Sequence, residues 1–249
     1  MSQQQGVRNM DETLQWFAKR MEESGIPLST VQLEQFELYY RLLVEWNEKM
    51  NLTGITERDA VYEKHFYDSV SLSFYMNMNS VRKLADIGSG AGFPSIPLKI
   101  CFPHIQVMIV DSLNKRIQFL THLKEQLGLE QVLCLHGRAE DIAQLSEHRD
   151  SYDLVTARAV ARLNVLNEFC LPFVRKGGLF AAMKGSQSDE EVREASFSLR
   201  ELKGKIKSQH QLSLPNEQSE RHIILIEKVE ATPRKYPRKA GTPLKQPLI

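Results

Sequence analysis

Three glycines at two-residue intervals follow an aspartate: Asp86, then Gly88, Gly90 and Gly92, in the stretch DIGSGAGFPSIPLKI. Leu84, Ala85 and Ile87 read as a short buried strand. The residues after the glycines read as an apolar helix, with Pro94 just inside its start, where a missing N–H costs nothing. Glycine tolerates positive φ and lets another molecule approach the backbone closely. Strand, glycine turn and helix N-terminus in that order make a site for a nucleotide-type cofactor. The spacing narrows the choice. A dinucleotide fingerprint would need glycine where Phe93 stands, and the Gly-Lys-Ser/Thr of a phosphate-cradling loop is missing. An ordinary tight turn would need neither three spaced glycines nor the acid.

Acidic-x-G-x-G-x-G resembles the first motif of the S-adenosylmethionine (AdoMet) dependent methyltransferases. AdoMet carries no phosphate. Its amino-acid end needs the close-approach backbone of Gly88 and Gly90, a carboxylate such as Asp86 for its ammonium, and a helix N-terminus for its carboxylate. In doubly wound sheets ligands sit outside the carboxyl ends of the strands, which selects the residue after each strand. Strand one supplies the glycines and Phe93. Strand two ends in Asp111, 23 residues after Gly88, where an acid commonly takes ribose hydroxyls; its other use is a helix cap with Ser112. Gly137, Arg138, Ala139 and Glu140 follow strand three, where a backbone N–H and an acid can read an adenine edge, or Glu140 can cap a helix. Arg158 follows strand four, beside the methyl group, and is expected nearest both cofactor and acceptor. Arg138, Arg158, Arg162 and Lys184 are the candidates for positioning an acceptor.

No general base is evident, and no catalytic side chain is assigned. The slot after strand four lacks the Asn-Pro-Pro-Tyr of amino-group methylation, and Cys134 and Cys170 lie inside elements rather than at strand ends. Such a site suits an acceptor that needs no deprotonation, such as guanine N7 with its free lone pair. The methylated guanine is cationic, so Arg158 fits cofactor or phosphate positioning better than contact with the ring.

Two kinds of element must hold these residues. Residues 1–80 show helical periodicity and carry, in 1–60, ten acids against six Lys and Arg. Gly25 and Pro27 end a first helix, Ser29 caps a second, Asn47–Thr53 breaks it, and Val61–Tyr75 forms a third. This region reads as a helical lid or as an extension of the core. Residues 81–231 alternate strand and helix five times and end in an antiparallel hairpin. The expected fold is α/β: a Rossmann-like doubly wound, seven-stranded sheet of the class I methyltransferase kind. Residues 232–249 hold Arg234, Lys235, Arg238, Lys239 and Lys245 with four prolines and no acid. This basic tail suits an RNA backbone, with Tyr236 stacking on a base, or is a solvated terminus.

The bulk numbers constrain the partners. The chain has 249 residues and a net charge of +1, so any pull on nucleic acid must be local. Cys101, Cys134 and Cys170 read as reduced core residues rather than disulfides or metal ligands. With no run of eighteen apolar residues and no signal pattern, a soluble, cytoplasmic chain is expected, with no metal and no membrane partner. Nothing in the sequence calls for an oligomer.

Several motifs together resemble the bacterial 16S rRNA guanine-N7 methyltransferases, the glucose-inhibited division protein B family. They are VEWNEKMNLT (44–53), HFYDS (65–69), the glycine stretch (86–100), VDSLNKR (110–116), GRAED (137–141), TARAVA (156–161) and YPRKAGTP (236–243). The resemblance implies AdoMet as donor and a guanine in the 530-loop region of 16S rRNA as acceptor; the partner is naked 16S rRNA, the small ribosomal subunit or its assembly intermediate. It implies cofactor contacts from Gly88, Phe93, Ala139, Glu140 and Arg158. Asn51, His65, Asp68 and Arg138 matter by the same resemblance, without assigned roles. His65 and Asp68, three apart on a helix, can share a face, either as a structural pair or as part of the site. The first ten residues look like a variable extension.

Overall fold

A computed structural model describes residues 11–158, 160–185 and 188–249; the ten-residue extension and Ala159 fall outside them. Helix α1 (Glu12–Glu23) starts where Asp11 accepts a hydrogen bond from the Leu14 amide. Helix α2 (Thr30–Met50) opens on a capping box in which Ser29 and Gln32 each satisfy the other's backbone N–H. It stops at Asn51, whose φ of 49° is a left-handed turn that asparagine tolerates. The next helical segment changes pitch along its length: α3 (Arg58–Val61), a π-helical turn (Tyr62–Tyr67), α4 (Asp68–Val70) and a 3-10 turn (Ser71–Phe74). Sequence periodicity expects one uniform helix here. A π turn is a common mark of a functional site, because it re-aims side chains.

From Lys83 strands and helices alternate: β1 (Lys83–Ile87), α5 (Ser95–Cys101), β2 (Gln106–Asp111), α6 (Asn114–Gln126), β3 (Val132–His136), α7 (Ala139–Ile142), β4 (Tyr152–Arg158) and α8 (Leu163–Cys170). Then come β5 (Val174–Lys184), α9 (Ser188–Glu194), α10 (Ser196–Glu201), β6 (Gly204–Ser213), β7 (Glu220–Lys228) and α11 (Thr242–Lys245). The strands form one seven-stranded sheet in the order β3-β2-β1-β4-β5-β7-β6, with β7 antiparallel to both neighbours. The expected doubly wound sheet and terminal hairpin are both present. β5 begins five residues before its expected start at Leu179 because Lys176 to Gly178 lie within the strand, where its register with β4 shifts.

Alternate residues of the central strands enter opposite cores, as the period of two requires. Leu84, Ile109, Leu154 and Leu225 join Phe17, Phe36, Tyr39 and Phe66 from the N-terminal helices and Ile96 and Phe119 from α5 and α6. Ala85, Val110, Val155 and Ile226 join Leu166, Leu199 and, from the tail, Tyr236 and Leu248. The N-terminal region thus shares a core with one face of the sheet, and the tail with the other.

The tail differs from its reading as an extended, RNA-facing strip. Tyr236, expected to stack on a base, is 5% exposed. Arg238 grips Glu168 through Nε and Nη2, and Lys235 pairs with Glu201 at 2.6 Å. Arg149 donates to the carbonyls of Thr232, Pro233 and Tyr236. Two of the five basic side chains are therefore committed within the chain. Arg234, Lys239 and Lys245 have no ion pair among the described residues.

Candidate functional site

β1 lies between β2 and β4, and the helices that follow β1 and β4 pack on opposite faces of the sheet. The turns after these strands part above the carboxyl ends, at the switch point where such sheets bind ligands. Three neighbouring hollows lie there. The largest, about 380 Å³, is lined by the glycine turn, Leu52, Thr53, His65, Asp111, Arg116 and Arg158. One of about 160 Å³ shares Gly88, Ser112 and Val160 with it and adds Arg138, Ala139 and Glu140. One of about 290 Å³ shares His65 and Arg158 and adds Asp68, Lys184, Arg221 and His222. The three make one groove, with His65 and Arg158 as a partition.

The glycine turn is built by backbone and packing together. The Gly88 amide donates to the Val110 carbonyl at 2.8 Å, fixing the turn to β2. Gly92 has φ +101°, and a Cβ there would meet Tyr39 Oη at 2.8 Å and Leu120 Cδ2 at 3.0 Å. Gly90 also has positive φ, +62°, yet a Cβ there would meet nothing within 4 Å. Gly92 is thus required by the core, and Gly90 leaves free space beside its Cα on the hollow's side. Ser89 lines the same hollow, and its buried hydroxyl has no hydrogen-bond partner among the described residues. A buried polar group without a partner costs free energy unless a ligand or water satisfies it.

Phe93 sits where the N-terminal helices meet this turn. It stacks on His65 (centroids 4.5 Å apart) and on Tyr39 (5.4 Å), and the Arg158 guanidinium carbon lies 4.8 Å from its centroid. The Tyr39 hydroxyl donates to the Ala91 carbonyl at 2.6 Å.

Asp86 departs from its sequence reading as a partner of the cofactor's ammonium. It is fully buried and lines none of the three hollows. Its oxygens accept from the Ser95 amide at 3.1 Å and the Thr156 hydroxyl at 3.2 Å. The start of α5, expected to receive the cofactor's carboxylate, is occupied by this internal one. Burial pushes the Asp86 carboxyl up to about 7.

Asp111, expected to take ribose hydroxyls or to cap a helix with Ser112, lines the 380 Å³ hollow, and both its oxygens are engaged within the chain. One oxygen accepts from the Leu113 amide at the turn into α6, and the other from the Gly90 amide at 3.2 Å and Arg116 Nη1 at 3.3 Å. Glu140 makes no cap for α7; it accepts from the Gly241 amide in the tail at 2.8 Å. Arg138 and Ala139 line the same small hollow. Arg138, a candidate for acceptor positioning, is therefore at the far end of the groove from Lys184.

At the partition, Arg158 Nη1 donates to Asp68 Oδ2 at 3.0 Å, and Nη2 lies 3.4 Å from His65 Nδ1. His65 Nε2 lies 2.8 Å from Thr53 Oγ1. Burial and then the Arg158 charge hold the His65 imidazole down to about 3. The π turn brings His65 and Asp68 to one side, where both meet Arg158 rather than each other. Lys184 reaches this hollow but is tied to the Ala161 carbonyl at 2.7 Å and Glu191 at 2.8 Å. Arg162 is not brought to the site: it is exposed, pairs with Glu194 and lines none of the hollows.

Sequence reasoning passed over Tyr39, Thr53, Ser89, Arg116 and Arg221. Ser89 and Arg116 lie inside motifs that drew notice only for their neighbours. Arg221 has no local signal, because the register that pairs Lys184 with His222 brings it to the groove. Asn51 gains a role as the left-handed cap that turns Leu52 and Thr53 into the hollow.

Among solved structures, M. jannaschii TYW2 in complex with AdoMet matches with a TM-score of 0.53 over 67% of this chain and 76% of its own, at 14% identity. Strand order and glycine turn define the fold as that of a class I AdoMet-dependent methyltransferase. The family model described as rRNA small subunit methyltransferase G matches residues 32–224. The Ribosomal RNA small subunit methyltransferase G of Bacillus pumilus is 58% identical over 235 residues, 94% of this chain and 98% of the relative. That of Halalkalibacterium halodurans is 57% identical over 232 residues, 93% and 98% respectively. The chain belongs to the rRNA small subunit methyltransferase G family.

Proposed function

We propose that this rRNA methyltransferase takes its methyl group from AdoMet and delivers it to N7 of a guanine in the 530-loop region of 16S rRNA. The observation that carries the cofactor reading is the groove itself: a glycine turn with free space beside Gly90, a buried Ser89 hydroxyl without a partner among the described residues, and Asp111 at its edge. In this reading the amino-acid end lies over Gly88 to Phe93, the ribose by Asp111, and the adenine between Ala139 and Glu140. Arg158, which lines both this hollow and the one beyond it, would stand beside the methyl group that the cofactor supplies.

The acceptor atom rests on the family resemblance and on the chemistry of the partition. His65 is held far below neutral pH and is a weak base, and Asp68 is ion-paired with Arg158 and Arg221. Neither is suited to remove a proton, and guanine N7 has none to lose. The reaction is then an in-line displacement: the N7 lone pair forms the N–CH3 bond as the C–S bond breaks and its electron pair returns to sulfur. Alignment in a water-poor site contributes up to about 7–11 kcal/mol in favourable cases. Arg158, clamped by Asp68, positions rather than reacts, since a mobile cation beside the ring would oppose the developing positive charge.

AdoMet binding is tested by thermal shift. AdoMet raises the melting temperature of the unaltered chain and NAD does not, because a ligand that binds only the native state stabilises it. Equal shifts, or none with AdoMet, would remove the cofactor reading.

A further inference from the structure

The small hollow at the adenine end has a wall that the strand ends do not supply. Leu244, from α11 in the tail, lines it together with Ala139 and Glu140. Leu244 is 55% exposed, while its neighbour Pro243 and nearby Leu248 are buried. The segment carrying it is fastened on all sides. The Gly241 amide donates to Glu140 Oε1 at 2.8 Å. Gln144 Nε2 donates to the Pro237 carbonyl at 3.3 Å. Arg238, while gripping Glu168, also donates through Nη2 to the Gln246 carbonyl at 2.8 Å, which closes the loop around α11. Leu244 is thus an apolar side chain held towards a hollow by an anchored support, and not the tip of a loose end.

Glu140 completes the picture. It is 3% exposed, one oxygen is committed to the tail, and the other accepts no hydrogen bond among the described residues. A flat apolar ring with an amine on its edge matches this pairing of an apolar cover and a fixed carboxylate.

We propose that the C-terminal segment is part of the cofactor site, with Leu244 covering one face of the adenine and the Gly241–Glu140 hydrogen bond aiming the carboxylate at its exocyclic amine. The inference rests on the AdoMet reading above and extends it to residues at the far end of the chain. It also gives the tail a task that its charge does not suggest. The same segment carries the exposed Lys239 and Lys245 beside the proposed adenine contact.

The test is calorimetric binding of AdoMet and of 5′-methylthioadenosine, which lacks the amino-acid end, to the full chain and to Leu244→Ser. The exposed position predicts an unchanged melting temperature for the unliganded variant. Both ligands are expected to bind about five- to tenfold more weakly, the loss from removing part of one leucine's apolar contact. Trypsin cleavage after Lys239 and Lys245 is expected to slow when AdoMet is present. Equal affinities for variant and parent overturn the inference while leaving the cofactor reading intact. Weaker AdoMet binding with unaltered methylthioadenosine binding overturns it too, because the effect then lies at the amino-acid end. Failure of the unaltered chain to bind either compound is a different result, which removes the cofactor reading and this inference with it.

Discussion

Arg158 and Asp68 form a largely buried ion pair, 3.0 Å between Nη1 and Oδ2, with side chains 14% and 6% exposed. The pair is asymmetric. Asp68 also faces Arg221, whose Nε lies 3.4 Å from Oδ1, while Arg158 has no second carboxylate among the described residues. Removing one partner of a buried pair strands the other, and the two deletions should therefore differ. Asp68→Asn leaves two guanidinium groups short of a counter-charge and is expected to lose about 3 kcal/mol in urea denaturation. Arg158→Met leaves Asp68 with Arg221 and is expected to lose about 1 kcal/mol, while methyl transfer falls at least about tenfold. The reverse order of stability would show that Arg221 does not compensate Asp68 and that the expected asymmetry is wrong.

The inward-facing Asp86 makes a separate prediction. Its folded pKa, about 7, lies above its ordinary value of 3.8. The native state therefore holds more protons than the unfolded chain between about pH 4 and 7, and stability falls as pH rises through that window. Asp86→Asn should flatten this slope, measured as unfolding free energy at several pH values. AdoMet affinity should change by less than about threefold, since the side chain touches Ser95 and Thr156 and not the hollow. A much larger loss of affinity in a stable variant would return Asp86 to the ligand.

His65 has the opposite sign. It is held near 3, below its ordinary 6.5, so the unfolded chain binds more protons between those values. Stability present above about pH 6.5 is lost as pH falls towards 3. His65→Gln should lose less stability between neutral and acid pH than the unaltered chain. An unchanged slope would mean that His65 titrates normally in the folded protein.

What was legible in the sequence follows from how local each feature is. The glycine turn, Asp111 and the strand-end residues near Ala139 and Arg158 declare themselves through short-range patterns and one topological rule. The direction of Asp86 does not, because it depends on how α5 and β4 close around β1. His65 and Asp68 needed the π turn before they could share Arg158. The tail was misread because its charges are conspicuous and their partners distant: Arg238 meets Glu168 across 70 residues and Lys235 meets Glu201 across 34. Composition reports a charge, not whether it is already paired.

The glycines provide a comparison within one motif. Gly92→Ala must push a methyl group against Tyr39, Ile96 and Leu120, and is expected to cost several kcal/mol or prevent folding. Gly90→Ala has room and pays only for its positive φ, roughly 1 kcal/mol. It should fold, yet bind AdoMet more weakly because the methyl group enters the hollow. Circular dichroism melting and calorimetry on both variants separate the two roles. Equal damage from both would make the whole turn structural.

Transfer of a labelled methyl group identifies the methylated atom directly. Small ribosomal subunits, or rRNA, that lack the modification would be incubated with the chain and AdoMet labelled on its methyl group. The RNA would then be digested and its nucleosides separated. Label is expected in 7-methylguanosine. Label in any other nucleoside would contradict the base-free mechanism, and no label in RNA, with AdoMet binding established, would contradict the assignment of substrate.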